Sequence, residues 1–210
     1  LAGGVALNSV ANGKILRSGM FEDIWIQPAA NDAGLAVGAA FQAYNGILGK
    51  PRSYTMTHAF YGPGYTTEEI RHVLEVAKVP YTEVENPSRV AAEMVAQDKI
   101  VGWYQGRMET GPRALGNRLI VANPRRAETK DIVNKYVKHR EAFRPFAPSC
   151  VLEQADRWFE RGGPSPYMLK VWQVQPEARD ALPAITHVDG SARLQTVTAE
   201  QNPLYHRYLL

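Results

Sequence analysis

Two stretches of this sequence gather cations and glycines in a way that suits phosphate chemistry. In Gly106-Arg107-Met108-Glu109-Thr110-Gly111-Pro112-Arg113-Ala114-Leu115-Gly116-Asn117-Arg118, three arginines and three glycines share one short segment. Glycine admits backbone angles that other residues avoid and lets a ligand approach the main chain. A guanidinium grips phosphate oxygens two at a time. The spacing of Gly and Lys matches neither a Walker loop nor a dinucleotide fingerprint. In Lys138-His139-Arg140-Glu141-Ala142-Phe143-Arg144-Pro145-Phe146-Ala147-Pro148, cations at 138, 140 and 144 alternate with Phe143 and Phe146. That suits a phosphate site walled by aromatic rings, which can also stack on a base. The plainer reading is the basic last turn of a helix, favoured by its dipole, with both phenylalanines in the core.

Two further segments hold polar groups at suggestive spacing. His187, Asp189, Ser191, Arg193 and Gln195 alternate around an Asp189-Gly190 turn, so some of them share one face of an extended segment. Such a face is either a solvated edge or a used one. A Ser-His-Asp nucleophile is the weaker reading, because nothing places Ser191 on a nucleophile elbow. In Gln27-Pro28-Ala29-Ala30-Asn31-Asp32-Ala33-Gly34, Asp32 stands at a helix start, where capping is its default role.

Elements of both kinds must position these groups. Val5-Ala6-Leu7 and Ile24-Trp25-Ile26 read as short strands, with a helix over 8–16 between them. Asn31 or Asp32 caps a helix reaching Leu48. The run from Gly46 to Gly64 has no periodicity and suggests a domain boundary near residues 49–55. Thr66-Thr67-Glu68-Glu69 is a capping box, and Ile70, Val73, Leu74 and Ala77 predict an inward stripe behind it. Asn86-Pro87 starts another helix, with Val90, Met94 and Val95 inward. Strands are expected at 100–104, 120–122, 149–152, 167–174 and 193–198. A helix over 126–138 is expected to bury Ile132, Val133, Tyr136 and Val137. The fold class is mixed α/β.

Composition narrows the partners. The 210 residues are 45% hydrophobic and 21% charged, which excludes collagen, coiled coil and wholesale disorder. No apolar run approaches the ~20 residues a membrane helix needs. The single cysteine, Cys150, rules out an internal disulfide framework and a cysteine-based zinc site, and a lone thiol fits the cytoplasm. Between Val101 and Cys150, ten Lys and Arg face four Asp and Glu, in a chain whose net charge is only +3. A local positive field in a near-neutral chain points to an anionic ligand, either a phosphate metabolite or a nucleic acid. The chain starts at Leu1, inside a Gly-Gly turn, and reads as part of a longer protein.

Taken together, Gly3-Gly4-Val5-Ala6-Leu7-Asn8, Pro28–Gly34, Gly106–Arg118, Lys138–Pro148 and His187–Gln195 resemble the O-carbamoyltransferases of the NodU/CmcH/TobZ type. The five segments occur in the family's order and span nearly the whole chain. The resemblance implies the tail of an actin-like ATPase-fold domain over 1–50 and a YrdC-like domain over 55–210. It implies carbamoyl-adenylate made from carbamoyl phosphate and ATP, with transfer of the carbamoyl group to a hydroxyl of a small-molecule acceptor. It also implies Mg²⁺ with the nucleotide and an iron ion in the actin-like domain.

Position by position, Arg113, Lys138, Arg144 and Arg193 match basic residues around the donor phosphates, with Arg107 and Arg140 behind them. Gly3, Gly4 and Asn8 match a nucleotide-facing turn, and Asp32 matches a metal-binding aspartate. Three departures stand out. The family's paired metal-binding histidines and its C-terminal Asn-Thr-Ser-Phe-Asn segment are not in this sequence, and Leu119 replaces a common serine. The 210 residues alone are therefore expected to be inactive. The alternative reading is a basic RNA-binding module of YrdC-like fold, with Phe143 and Phe146 stacking on bases. A hydrogenase-type maturation protein would carry zinc-finger cysteines that this stretch lacks.

Overall fold

The computed structural model describes residues 1–210 as a mixed α/β chain built from seven helices and three two-stranded sheets. Helix α1 (Ser9–Arg17) begins where the Asn8 side chain accepts the Ala11 N–H at 3.1 Å. The segment before it is not the expected strand. Gly3 takes a left-handed φ of 91°, and Gly4–Leu7 close a 3₁₀ turn that leads directly into the helix. Ile24–Ile26 is likewise unpaired, because no strand lies beside it. The helical run expected up to Leu48 is present in three pieces. They are a 3₁₀ turn at Asp32–Gly34, α2 (Leu35–Phe41) and a π-helical turn at Gln42–Ile47. Neither Asn31 nor Asp32 caps it with a side chain.

Helix α3 (Thr67–Val76) carries the expected capping box, with Thr66 and Glu69 bonded reciprocally. Its apolar stripe is not inward, however: no α3 residue is buried, and Ile70 and Val73 are exposed. Nothing in this chain packs over that face. Helix α4 (Pro87–Ala96) starts at Asn86, whose side chain accepts the Arg89 N–H.

All the strands lie beyond residue 100. β1 (Val101–Tyr104) pairs antiparallel with β2 (Arg118–Val121), Trp103 opposite Leu119. Helix α5 (Ala127–Ile132) runs on as a π-helical turn to Lys138, where His139 in the left-handed region (φ 48°) ends it. Of its four expected inward residues only Val133 is buried. β3 (Ser149–Val151) leads through a 3₁₀ turn into α6 (Ala155–Trp158). β4 (Trp172–Gln173) is far shorter than the expected 167–174, because Met168 adopts a positive φ and breaks the extended run. β4 pairs antiparallel with β5 (Ser191–Ala192), and β6 (Gln195–Val197) pairs parallel with β3.

Helix α7 (Pro203–Leu209) closes the chain and packs on α4. One core gathers Phe159, Trp172, Val174, Ile185 and Leu194, and a second gathers Ala91, Trp103, Val121, Val197 and Tyr205. The two cores fix β2, α5, β3 and the β5–β6 connection around a common hollow. No helix is long and apolar enough to cross a membrane.

Candidate functional site

The loop Gly106–Arg118 joins β1 to β2 and is held by side chains from across the fold. The Trp103 indole N–H donates to the Gly116 carbonyl at 2.8 Å, and the Gln195 amide donates to the Leu115 carbonyl at 2.6 Å. Asn202, from the start of α7, donates to Asn117, which in turn donates to the Arg107 carbonyl, both at 2.7 Å. Two glycines let the loop lie this close to its neighbours. Gly111 (φ 106°) presses on the main chain, since a Cβ there would sit 2.8 Å from the Pro28 carbonyl oxygen. Gly116 (φ 118°) presses on the Tyr205 ring, which a Cβ would meet at 2.5 Å.

The loop's tip, Pro112–Ala114, faces a cavity of about 1010 Å³. Arg113 and Arg118 line it from the loop, Lys130 and Lys138 from the α5 helical run, Arg140 from the segment after it, and Arg193 from the β5–β6 connection. No aspartate or glutamate lines it. The Nε groups of Arg113 and Arg193 are buried and have no hydrogen-bond partner. Burial lowers the pKa of Arg113. Arg140 is lowered by burial and then by Arg144. Arg193 falls furthest, to about 10, through burial first and then the neighbouring charges of Arg113 and Arg140. All three remain cationic at neutral pH. Buried donors without acceptors, crowded by like charge, form a site whose natural complement is a polyanion. The Arg140 guanidinium lies 4.7 Å from the Phe146 ring centre, and Tyr205 and Tyr208 add aromatic wall.

The structure thus brings Arg113, Lys138, Arg140 and Arg193 together. Arg144 is elsewhere: exposed, outside the cavity wall, and paired with Glu141 at 2.8 Å. Arg107 is also outside it, with its guanidinium donating to the carbonyls of Gly62 and Tyr61 at 2.9 and 3.0 Å. It ties the irregular 50–66 segment to the loop. Gly3, Gly4 and Asn8 reach the site only indirectly. Arg113 donates to the Leu7 carbonyl at 3.2 Å, within the turn that Gly3 and Gly4 open, and the Asn8 side chain is taken up by its cap.

Asp32 is exposed on its 3₁₀ turn, and nowhere in the chain do three His, Cys, Asp or Glu side chains come together as metal ligands. The residues present do not by themselves fit an iron centre. Ser191 donates its hydroxyl to Asp189 at 2.6 Å, and His187 contacts the same oxygen at 3.2 Å, closing the turn at Gly190. Ser191 and Gln195 are buried, so the alternating polar face is used within the fold rather than solvated. Phe143 stands exposed and Phe146 lies half-buried under Arg140, so the two rings do not form one stacking platform.

Sequence reasoning gave no role to Lys130, Asn202 or Glu109, and named Gln195 only as part of an alternating polar face. Lys130 belongs to the basic excess, and Asn202-Pro203 repeats the helix-start signal of Asn86-Pro87. Only long-range packing reveals the other two.

A family model described as carbamoyltransferase C-terminus matches residues 92–210, and one described as carbamoyltransferase N-terminus matches residues 1–41. The chain is 45% identical over 212 residues to the nodulation protein NolO of Bradyrhizobium diazoefficiens, covering 98% of this chain and 38% of that protein. It is 38% identical over 201 residues to nodulation protein U of Rhizobium tropici, covering 94% of this chain and 33% of that protein. An uncharacterized Synechocystis protein is 45% identical over 237 residues, covering 100% of this chain and 38% of that protein. The chain therefore spans 33% to 38% of the length of these relatives.

Proposed function

The chain belongs to the carbamoyltransferase family, and from that premise we propose that its cation-lined cavity binds the phosphate groups of carbamoyl phosphate and ATP. In this reading the chain is part of an enzyme that makes carbamoyl-adenylate and passes the carbamoyl group to a hydroxyl of a small acceptor. Residues 1–50 are the tail of an actin-like domain and 55–210 a YrdC-like domain. The observation that carries the proposal is one cavity lined by six cations and no carboxylate, with two buried guanidinium donors unpartnered.

The chemistry needs such a wall. Water must first split the P–O bond of carbamoyl phosphate, releasing inorganic phosphate and carbamate, and the carbamate carries negative charge towards a polyphosphate that carries more. Its oxygen attacks the α-phosphorus, the bond to the bridging oxygen breaks, and pyrophosphate leaves with that electron pair. Arg113, Arg140 and Arg193 offset the repulsion and stabilise charge growing on the phosphoryl oxygens. Lys138 adds a mobile charge at the rim. Removing one such contact costs ~10²–10³ in rate. Mg²⁺ would supply further charge neutralisation. The cavity offers it no carboxylate, so the nucleotide itself would have to hold it. The aromatic wall excludes water from a hydrolysable mixed anhydride. Arg107 and Arg144 serve this account by holding the surrounding loops.

The test is carbamoyl-phosphate-dependent release of pyrophosphate from ATP by the full-length protein. Release that needs both substrates, and falls ~10²-fold or more in Arg193→Ala, supports the proposal. No release from folded protein would reject it. Single-stranded RNA binding that weakens steeply with salt would then favour the nucleic-acid reading.

A further inference from the structure

The cavity contains no acid, yet the loop that supplies two of its cations is wound around one. Glu109 is buried, and its Oε1 accepts three main-chain N–H groups: Leu115 at 2.7 Å, Asn117 at 2.9 Å and Arg118 at 3.1 Å. These bonds close residues 109–118 into a ring. Midway along the ring in sequence lie Pro112–Ala114, the same three residues that face the cavity. Arg118, the last amide held, is the loop's other cavity cation. The second oxygen, Oε2, is buried and has no partner. Burying that oxygen without a partner costs free energy, which the three bonds to Oε1 offset. An apolar side chain would leave the buried N–H groups of Leu115 and Asn117 unsatisfied, at about 1–3 kcal/mol for each, and would free the part-buried N–H of Arg118.

We propose that Glu109 is the positioning residue of the anion site: through Oε1 it holds the 109–118 ring so that Arg113 and Arg118 project into the cavity. This rests on the anion-site reading above, and it extends that reading to a residue that does not line the cavity. Glu109 contributes shape, so an oxygen acceptor of the same reach serves in its place. Glu109→Gln keeps that acceptor and Glu109→Ala deletes it.

The experiment combines two readouts on the full-length protein. Amide hydrogen exchange follows Leu115, Asn117 and Arg118 without any ligand. Calorimetric titration with carbamoyl phosphate follows the site. In the wild type and in Glu109→Gln the three amides are expected to be protected. In Glu109→Ala they exchange at least ~10-fold faster, while β3 and β6 amides keep their protection. Affinity for carbamoyl phosphate is expected to fall ~10²-fold in Glu109→Ala and only a few-fold, roughly, in Glu109→Gln. The double variant Glu109→Ala/Arg113→Ala is expected to lose less affinity than the two single losses combined, because Glu109 acts in part through that arginine.

Additive losses in the double variant, or a Glu109→Gln variant that is folded yet binds as poorly as Glu109→Ala, would overturn the proposal. If Glu109→Ala does not fold, Glu109→Gln and the wild-type amides decide it. Wild-type protein that protects the three amides but binds no carbamoyl phosphate would reject the anion-site reading and, with it, the positioning role. Unprotected amides in the wild type would reject the ring itself.

Discussion

Arg193 sits between Arg113 and Arg140 with no carboxylate to share its charge. Its folded-state pKa, about 10, lies well below that of an unhindered guanidinium. The unfolded chain therefore holds the proton more tightly than the native one. Below pH ~10 the penalty on the folded state is complete, and it is relieved as pH rises above that value. A shift of this size corresponds to ~1–3 kcal/mol after allowance for residual solvent. Replacing the charge with an apolar chain of similar length should lift that penalty. Arg193→Met is expected to raise the ligand-free unfolding free energy by ~1–2 kcal/mol at pH 7 while abolishing carbamoyl phosphate binding. Denaturant melts with and without ligand would read both effects. A variant that is destabilised without ligand would contradict the account of Arg193 as a cation held for its ligand. Lys138 differs in kind: it is exposed at the end of a helical turn, and its charge needs no such support.

At the scale of elements, the loop between β1 and β2 depends on close approaches that only glycine permits. Gly116→Ala combines a φ of 118° with a Cβ placed 2.5 Å from the Tyr205 ring. It is expected to cost about 3 kcal/mol or more, read as a lowered melting temperature, and to loosen α7 along with the loop. A neutral outcome would mean that α7 does not brace the site. This part of the molecule shows what could and could not be seen in the residues alone. The helix at Pro87 was legible because Asn86 and Pro87 are a local start signal, and Thr66 to Glu69 was legible for the same reason. The strands at 101–104 and 149–151 were legible from short apolar runs. Val5–Leu7 was not, because pairing needs a neighbour and none lies there. Met168 breaks an otherwise strand-like run by its backbone angle, which composition does not reveal. The inward stripe of α3 was real as a pattern, but what packs on it is not a local property.

Across the whole molecule, cations far apart in the chain converge on one hollow. Arg113, Lys138 and Arg140 were recognisable as candidates from glycine-rich or aromatic surroundings and Arg193 from an alternating polar face, but their convergence depends on two hydrophobic cores. Arg144 and Arg107 had the same local surroundings, and folding turned them outward to Glu141 and to the carbonyls of Tyr61 and Gly62. Glu109 was present in the motif throughout, and only the folded loop shows what it holds.

The most direct measurement of the central claim is a calorimetric titration of the full-length protein with carbamoyl phosphate, alongside Arg113→Ala and Arg193→Ala. Saturable one-to-one binding that each variant weakens ~10²-fold, with the fold intact, is the predicted result. Binding unaffected by both substitutions, or none in folded wild-type protein, would contradict it.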